Sequence, residues 1–121
     1  MMYPQPPWRS LLFVPVTAER FLAKAHTRGA DGIILVLEDA LLPAHKAEAR
    51  AAVAAAVPRV SQGGADVIVR INRPLELAVP DIEAAVRPGV AALMLPKVMG
   101  PEHVRLLSEL VLARETAQGM K

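Results

Sequence analysis

"DGIILVLEDA" (residues 31–40) runs apolar from Gly32 to Leu37 and then sets Glu38 and Asp39 side by side. A strand with apolar side chains on both faces belongs inside a parallel sheet covered by other elements, because an antiparallel strand with one wet face would alternate polar and apolar residues. Carboxylates at its carboxyl end stand where parallel α/β sheets gather their ligand-binding groups.

The same pattern recurs in both directions from this strand. "SLLFVP" (10–15) predicts a short buried strand, followed by a helix over 17–29 with Thr17 as N-cap, Phe21, Leu22 and Ala25 on one face, and Gly29 as the stop. The central strand spans 32–39, and the alanine-rich "PAHKAEARAAVAAAV" (43–57) predicts a helix closed by Pro58. "ADVIVRIN" (65–72) is a third strand, "VPDIEAAV" (79–86) a short helix, and "VAALMLPK" (90–97) a fourth strand. Gly100, Pro101 and Glu102 open a last helix with Val104, Leu107, Leu110 and Val111 as its apolar stripe, ending near Gly119. Four strand–helix units predict an α/β fold with parallel strands and outer helices, in a single segment over 1–121 with residues 1–8 as an arm.

Composition narrows the function. Apolar residues make up 53% and the net charge is +2 from 14 basic and 12 acidic residues, with no basic run interleaved with aromatics, so nucleic acid is not an expected partner. The absence of cysteine removes disulfides, thiolate metal sites and thiol nucleophiles. The proline-rich start "MMYPQPPWRS" has no long apolar run, so neither a signal peptide nor a membrane anchor is expected, and the cytoplasm is the default location. No glycine-rich phosphate loop is present, and His26, His45 and His103 fall among charged helical neighbours as expected surface residues.

The strand ends carry Glu38, Asp39, Arg70, Asn72 and Lys97. Alternation puts Ile68, Arg70 and Asn72 on one face of the third strand and Val67, Val69 and Ile71 on the other. A confined Arg70 needs an anionic partner, which is either Glu38 in an internal ion pair or the carboxylate or enolate oxygen of a ligand. Asp39 is either part of the site or a cap for the following loop, and Lys97 either neutralises an anion or is solvated.

"RSLLFVP" (9–15), "ERFLAKA" (19–25), "GADGIILVLEDA" (29–40), "VIVRIN" (67–72) and "LMLPKV" (93–98) resemble, in order and spacing, the HpcH/HpaI aldolase and citrate lyase beta subunit family, nearest its CoA-ester lyase branch. The resemblance implies that these residues are the first four βα units, the amino-terminal half, of a TIM (β/α)8 barrel. It implies Mg²⁺-dependent cleavage or formation of a carbon–carbon bond in a 3-hydroxyacyl thioester such as a citryl, malyl or citramalyl group. Arg70 and Glu38 would then be catalytic, Arg70, Asn72 and Lys97 would bind substrate, and Glu38 and Asp39 would stand in the outer shell of the metal. Three positions depart from the family pattern. Val36 replaces the first acid of "DLEDA", Met99 stands where "PKVES" has glutamate, and the direct metal ligands of the family are expected beyond Lys121. Mg²⁺ is therefore expected to bind weakly or not at all to these residues alone.

An acyl-CoA or acyl-carrier thioester is the expected partner, together with a second copy or a complementing half-barrel that covers the open edges and inner face. The alternatives are a non-catalytic half-barrel assembly module, a fragment of a pyruvate-type HpaI aldolase, and a small open α/β binding domain.

Overall fold

The computed structural model describes residues 7–37 and 43–120. Four strands, β1 (Leu11–Pro15), β2 (Gly32–Val36), β3 (Asp66–Arg70) and β4 (Ala92–Met94), form one sheet in the order β1-β2-β3-β4, and each neighbouring pair is parallel. The helices are α1 (Glu19–Leu22), α2 (Lys46–Val60), α3 (Leu75–Ala85) and α4 (Pro101–Ala117). Each strand pairs with its successor in sequence, so successive crossovers step in one direction and deliver their helices to the same side. A doubly wound sheet would instead reverse its strand order and carry helices on both faces.

The register separates the two faces. Val14, Ile33, Leu35, Val67, Val69 and Ile71 join Leu22, Val53, Ile82 and Leu107 from the four helices in one core. Full burial of each such aliphatic side chain contributes roughly 1.5–3 kcal/mol, and this face holds most of the buried apolar side chains. Ile34, Val36 and Ile68 make a second cluster on the opposite face, packed among the described residues by Trp8, Ala92 and Met94 and by no helix residue. Its β1 side is open, with Leu11 40% and Phe13 50% exposed.

Trp8, Arg9 and Ser10 are fastened to the residues that lead into β2 and β3. Trp8 Nε1 donates to Asp66 Oδ2 at 2.7 Å, and the backbone N–H groups of Arg9 and Ser10 both donate to Asp31 Oδ2. A close approach fixes the α1 region to the turn before β3, where a Cβ added at Gly63 would meet the carbonyl oxygen of His26 at 2.6 Å. That neighbour is backbone, so Gly63→Ala is expected to cost about 1–3 kcal/mol, measured as a lowered midpoint in equilibrium denaturation.

Several boundaries differ from the sequence expectation. The helix expected over 17–29 is a single turn at Glu19–Leu22 followed by a 3₁₀ turn at Ala25–Thr27. Its N-cap is Ala18 rather than Thr17, and Phe21 is 56% exposed while Leu22 and Ala25 are buried. Pro58 and Pro80 both lie inside helices rather than at their ends. A proline near the end of α2 forfeits only one backbone bond, and the Pro58 ring sits on the exposed side; α3 begins at Leu75, after Pro74, and runs through Pro80. The fourth strand shrinks to three residues, and Val104 on α4 is 39% exposed while Leu107 is buried.

Glu19 and Arg59 join α1 to α2 by a bidentate pair, with Arg59 Nη1 and Nη2 donating to the two carboxylate oxygens at 2.8 and 2.7 Å. These hydrogen bonds, with the charge of Arg59, hold the Glu19 carboxyl below its ordinary value of 4.5. A depressed folded-state pKa makes the pair stabilising above the unfolded value, and that contribution disappears as pH falls through the lowered one. The pair is solvent-exposed, so its effect should be small and should weaken further with salt. Denaturation of wild type and Glu19→Gln should converge at acidic pH and separate slightly near neutrality.

Candidate functional site

Arg70 is the last residue of β3 and pairs in register with Val36 on one side and Met94 on the other. It is half-buried on the helix-free face, and its guanidinium carbon lies 5.7 Å from the centroid of the Phe13 ring. The ring gives the cation a favourable electrostatic neighbour. The alternation expected along the third strand, with Arg70 on the face of Ile68 and opposite Val67 and Val69, agrees with this placement.

Asn72 does not share that face. Alternation along an unbroken strand would align it with Arg70, but β3 ends at Arg70 and the chain turns. Asn72 is 3% exposed on the helix side, where its backbone N–H and its Nδ2 both donate to Asp81 Oδ2, at 2.8 and 2.7 Å. Nδ2 also donates to the carbonyl of Leu37 at 3.1 Å, and Oδ1 accepts from Lys46 Nζ at 2.8 Å. With both amide hydrogens and the oxygen engaged in this interior, the Asn72 side chain is a structural joint rather than a substrate ligand.

Sequence reading missed the rest of this joint. Lys46 Nζ donates to the Leu37 carbonyl at 3.0 Å, and Arg50 Nε donates to Asp81 Oδ1 at 3.0 Å in an ion pair whose acid is 1% exposed. Lys46 and Arg50, four apart on α2, were available as a hint, since such a spacing places both on one helix face. Their acidic partner on α3 could not be read without knowing how those helices pack.

Glu38 and Asp39, and with them the ion pair considered for Arg70, lie outside the described residues. Lys97 is exposed just past β4, behind the buried Pro96, and is the one described non-glycine residue at positive φ, +50°. Holding lysine in the left-handed region costs on the order of 1–2 kcal/mol. The expected surface histidines divide: His45 is exposed, while His26 and His103 are half-buried. His103 Nδ1 accepts from the backbone N–H of Met99, and His26 Nδ1 is buried without a hydrogen-bond partner. Arg73 Nη2 donates to the Met99 sulfur at the rim of an open groove of about 350 Å³, lined by Arg73, Leu75, Met99, His103 and Leu106. The groove lies between the loops after β3 and β4, and neither Arg70 nor Lys97 lines it. Among the described residues, no three His, Cys, Asp or Glu side chains gather to hold a metal ion, and no helix is long and apolar enough to cross a membrane.

A singly wound parallel sheet with its helices packed on one face defines a protein of repeated βα units, with Arg70 at the carboxyl ends of the strands. The chain belongs to the HpcH/HpaI aldolase/citrate lyase family, which it matches over residues 9–121. It is 36% identical over 121 residues to a (3S)-malyl-CoA thioesterase of Cereibacter sphaeroides, covering 94% of this chain and 42% of the relative. It is 35% identical over 115 residues to the citrate lyase subunit beta of Leuconostoc mesenteroides, covering 92% and 37%, and 35% identical over 106 residues to the mitochondrial citramalyl-CoA lyase of Mus musculus, covering 85% and 31%. The chain thus spans less than half the length of the curated relatives it matches.

Proposed function

We propose that these residues are the amino-terminal four βα units of a (β/α)8 carbon–carbon lyase acting on 3-hydroxyacyl thioesters, with the helix-free face of the sheet turned toward the barrel interior. The observation that carries this reading is the strand order β1-β2-β3-β4 with Arg70 at the carboxyl end of the helix-free face. The relatives named for malyl-CoA and citramalyl-CoA favour a thioester substrate over a free hydroxy-keto acid.

In such a cleavage the 3-hydroxyl loses its proton, the C2–C3 bond breaks, and its electron pair moves into the thioester as an enolate. Protonation at C2 then leaves the shortened thioester and a keto acid. The planar fork of Arg70 suits the carboxylate of the departing keto acid or the enolate oxygen, and a fixed cation there stabilises charge as it develops. Lys97 would add positive charge at the same end of the sheet. Mg²⁺, when bound, would polarise the reacting oxygens. Glu38 and Asp39 are the acids proposed to stand near it, and the described residues do not make a metal site by themselves.

The test is an assay of the protein with (3S)-malyl-CoA and citramalyl-CoA in Mg²⁺, alone and mixed with the carboxy-terminal portion of the citramalyl-CoA lyase of Mus musculus. Keto acid should appear once the two portions form a complex detected by solution mass measurement. A folded complex that releases no keto acid from any of these thioesters would reject the lyase reading. The second reading, a non-catalytic assembly module, is favoured by the exposure of Leu11 and Phe13 on the open face. It predicts self-association, and a strictly monomeric, well-folded species would argue against it.

A further inference from the structure

Four side chains that the proposed cleavage step does not use meet behind the carboxyl ends of β2 and β3. Lys46 and Arg50 come from α2, Asn72 from the turn after β3, and Asp81 from α3. Three features separate this cluster from ordinary helix packing. Asp81 is fully buried, yet both of its oxygens are used, one by Arg50 and the other by two donors of Asn72. Lys46 spends its ammonium on the Leu37 carbonyl and on Asn72, rather than on solvent or a surface acid. The backbone of the two strands is itself part of the cluster, through the Leu37 carbonyl at the end of β2 and the Asn72 N–H at the end of β3.

The consequences fall on Arg70. The Leu37 N–H donates to the Arg70 carbonyl at 2.9 Å, so the residue whose carbonyl the cluster holds also bonds, through its N–H, to Arg70. Two residues later, capture of Asn72 by Asp81 turns the chain toward the helices and leaves Arg70 as the last β3 side chain on the open face. The cluster therefore controls where the Arg70 backbone sits from both of its flanks, without touching the guanidinium.

We propose that Lys46 and Asp81 are positioning residues for Arg70, locking the carboxyl ends of β2 and β3 in register through Leu37 and Asn72. The inference rests on the lyase reading for its catalytic consequence and on geometry alone for its structural one. Misplacement of a reacting group by about 1 Å can cost on the order of 10²-fold in rate, so a clamp of this kind matters even at one remove.

The experiment compares wild type, Lys46→Met, Lys46→Arg and Asp81→Asn in the complemented enzyme and by amide hydrogen exchange of this protein. Lys46→Met is expected to lower kcat for (3S)-malyl-CoA cleavage by about 10–100-fold with KM changed less than about twofold. Lys46→Arg, which can donate to both acceptors, should recover most of the loss. In exchange, Leu37 and Asn72 should become at least about tenfold less protected in Lys46→Met while Val67 and Val69 stay protected, a local opening that general destabilisation would not produce. Asp81→Asn serves as the second variant and should open Asn72 in the same way. A folded Lys46→Met with parental kcat, or with unchanged protection at both Leu37 and Asn72, overturns the proposal. An inactive wild-type complex would count against the lyase reading alone, and the exchange result would still decide the clamp.

Discussion

Arg70→Ala is expected to lower kcat/KM for (3S)-malyl-CoA in the complemented enzyme by about 10²–10³-fold, the loss that follows removal of one donor from a preorganised oxyanion site. Arg70→Lys should recover little of it, because an ammonium is a point charge and cannot reproduce two parallel N–H donors. The fold should survive both changes. Arg70 is half-exposed at a strand end, outside the buried core clusters, so both variants should keep the parental α/β circular dichroism spectrum. Steady-state kinetics beside circular dichroism separate the two effects. A folded Arg70→Ala enzyme with parental kcat/KM would remove Arg70 from the chemistry.

The largest effect on stability is expected at Asp81. Asp81→Ala removes a fully buried acid, leaves the Arg50 guanidinium without its carboxylate and deprives Asn72 of the acceptor for two hydrogens. Breaking one side of a buried ion pair costs about 3–5 kcal/mol, chiefly because of the charge left behind. A protein of this size has a total stability of roughly 5–15 kcal/mol, so the variant should be close to unfolding at physiological temperature. Urea denaturation of Asp81→Ala, Arg50→Ala and the double variant measures the coupling directly. The double variant should be less destabilised than the sum of the single ones. Additive losses, or a single loss under about 1 kcal/mol, would show that the pair contributes little.

What could be read from residue order depended on the range of the interaction. Ile33 to Leu37 reads as a buried strand because both faces are apolar, and the structure buries all of them. Arg70 is legible for the same reason, since side chains alternate strictly for as long as the strand lasts. The same rule misplaces Asn72, because alternation stops where the ladder stops and a distant acid, Asp81, decides where the side chain goes. Helix boundaries at Pro58 and Pro80 misled for a related reason. Proline is a local signal, and packing of Val53, Val57 and Ile82 into the core outweighs the one backbone bond each proline forfeits.

The residue pattern by itself determined four parallel βα units, their alternating faces, the placement of Arg70 and membership of the HpcH/HpaI aldolase/citrate lyase family. These follow from short-range periodicity and from motifs in fixed order, which a linear chain carries openly. Only the folded chain decided that Asn72 turns inward and that Lys46, Arg50 and Asp81 converge behind Arg70. Those outcomes depend on partners up to 35 residues apart, as between Leu37 and Asn72, and hydrogen bonds of that span come into being only when the sheet and helices close around them.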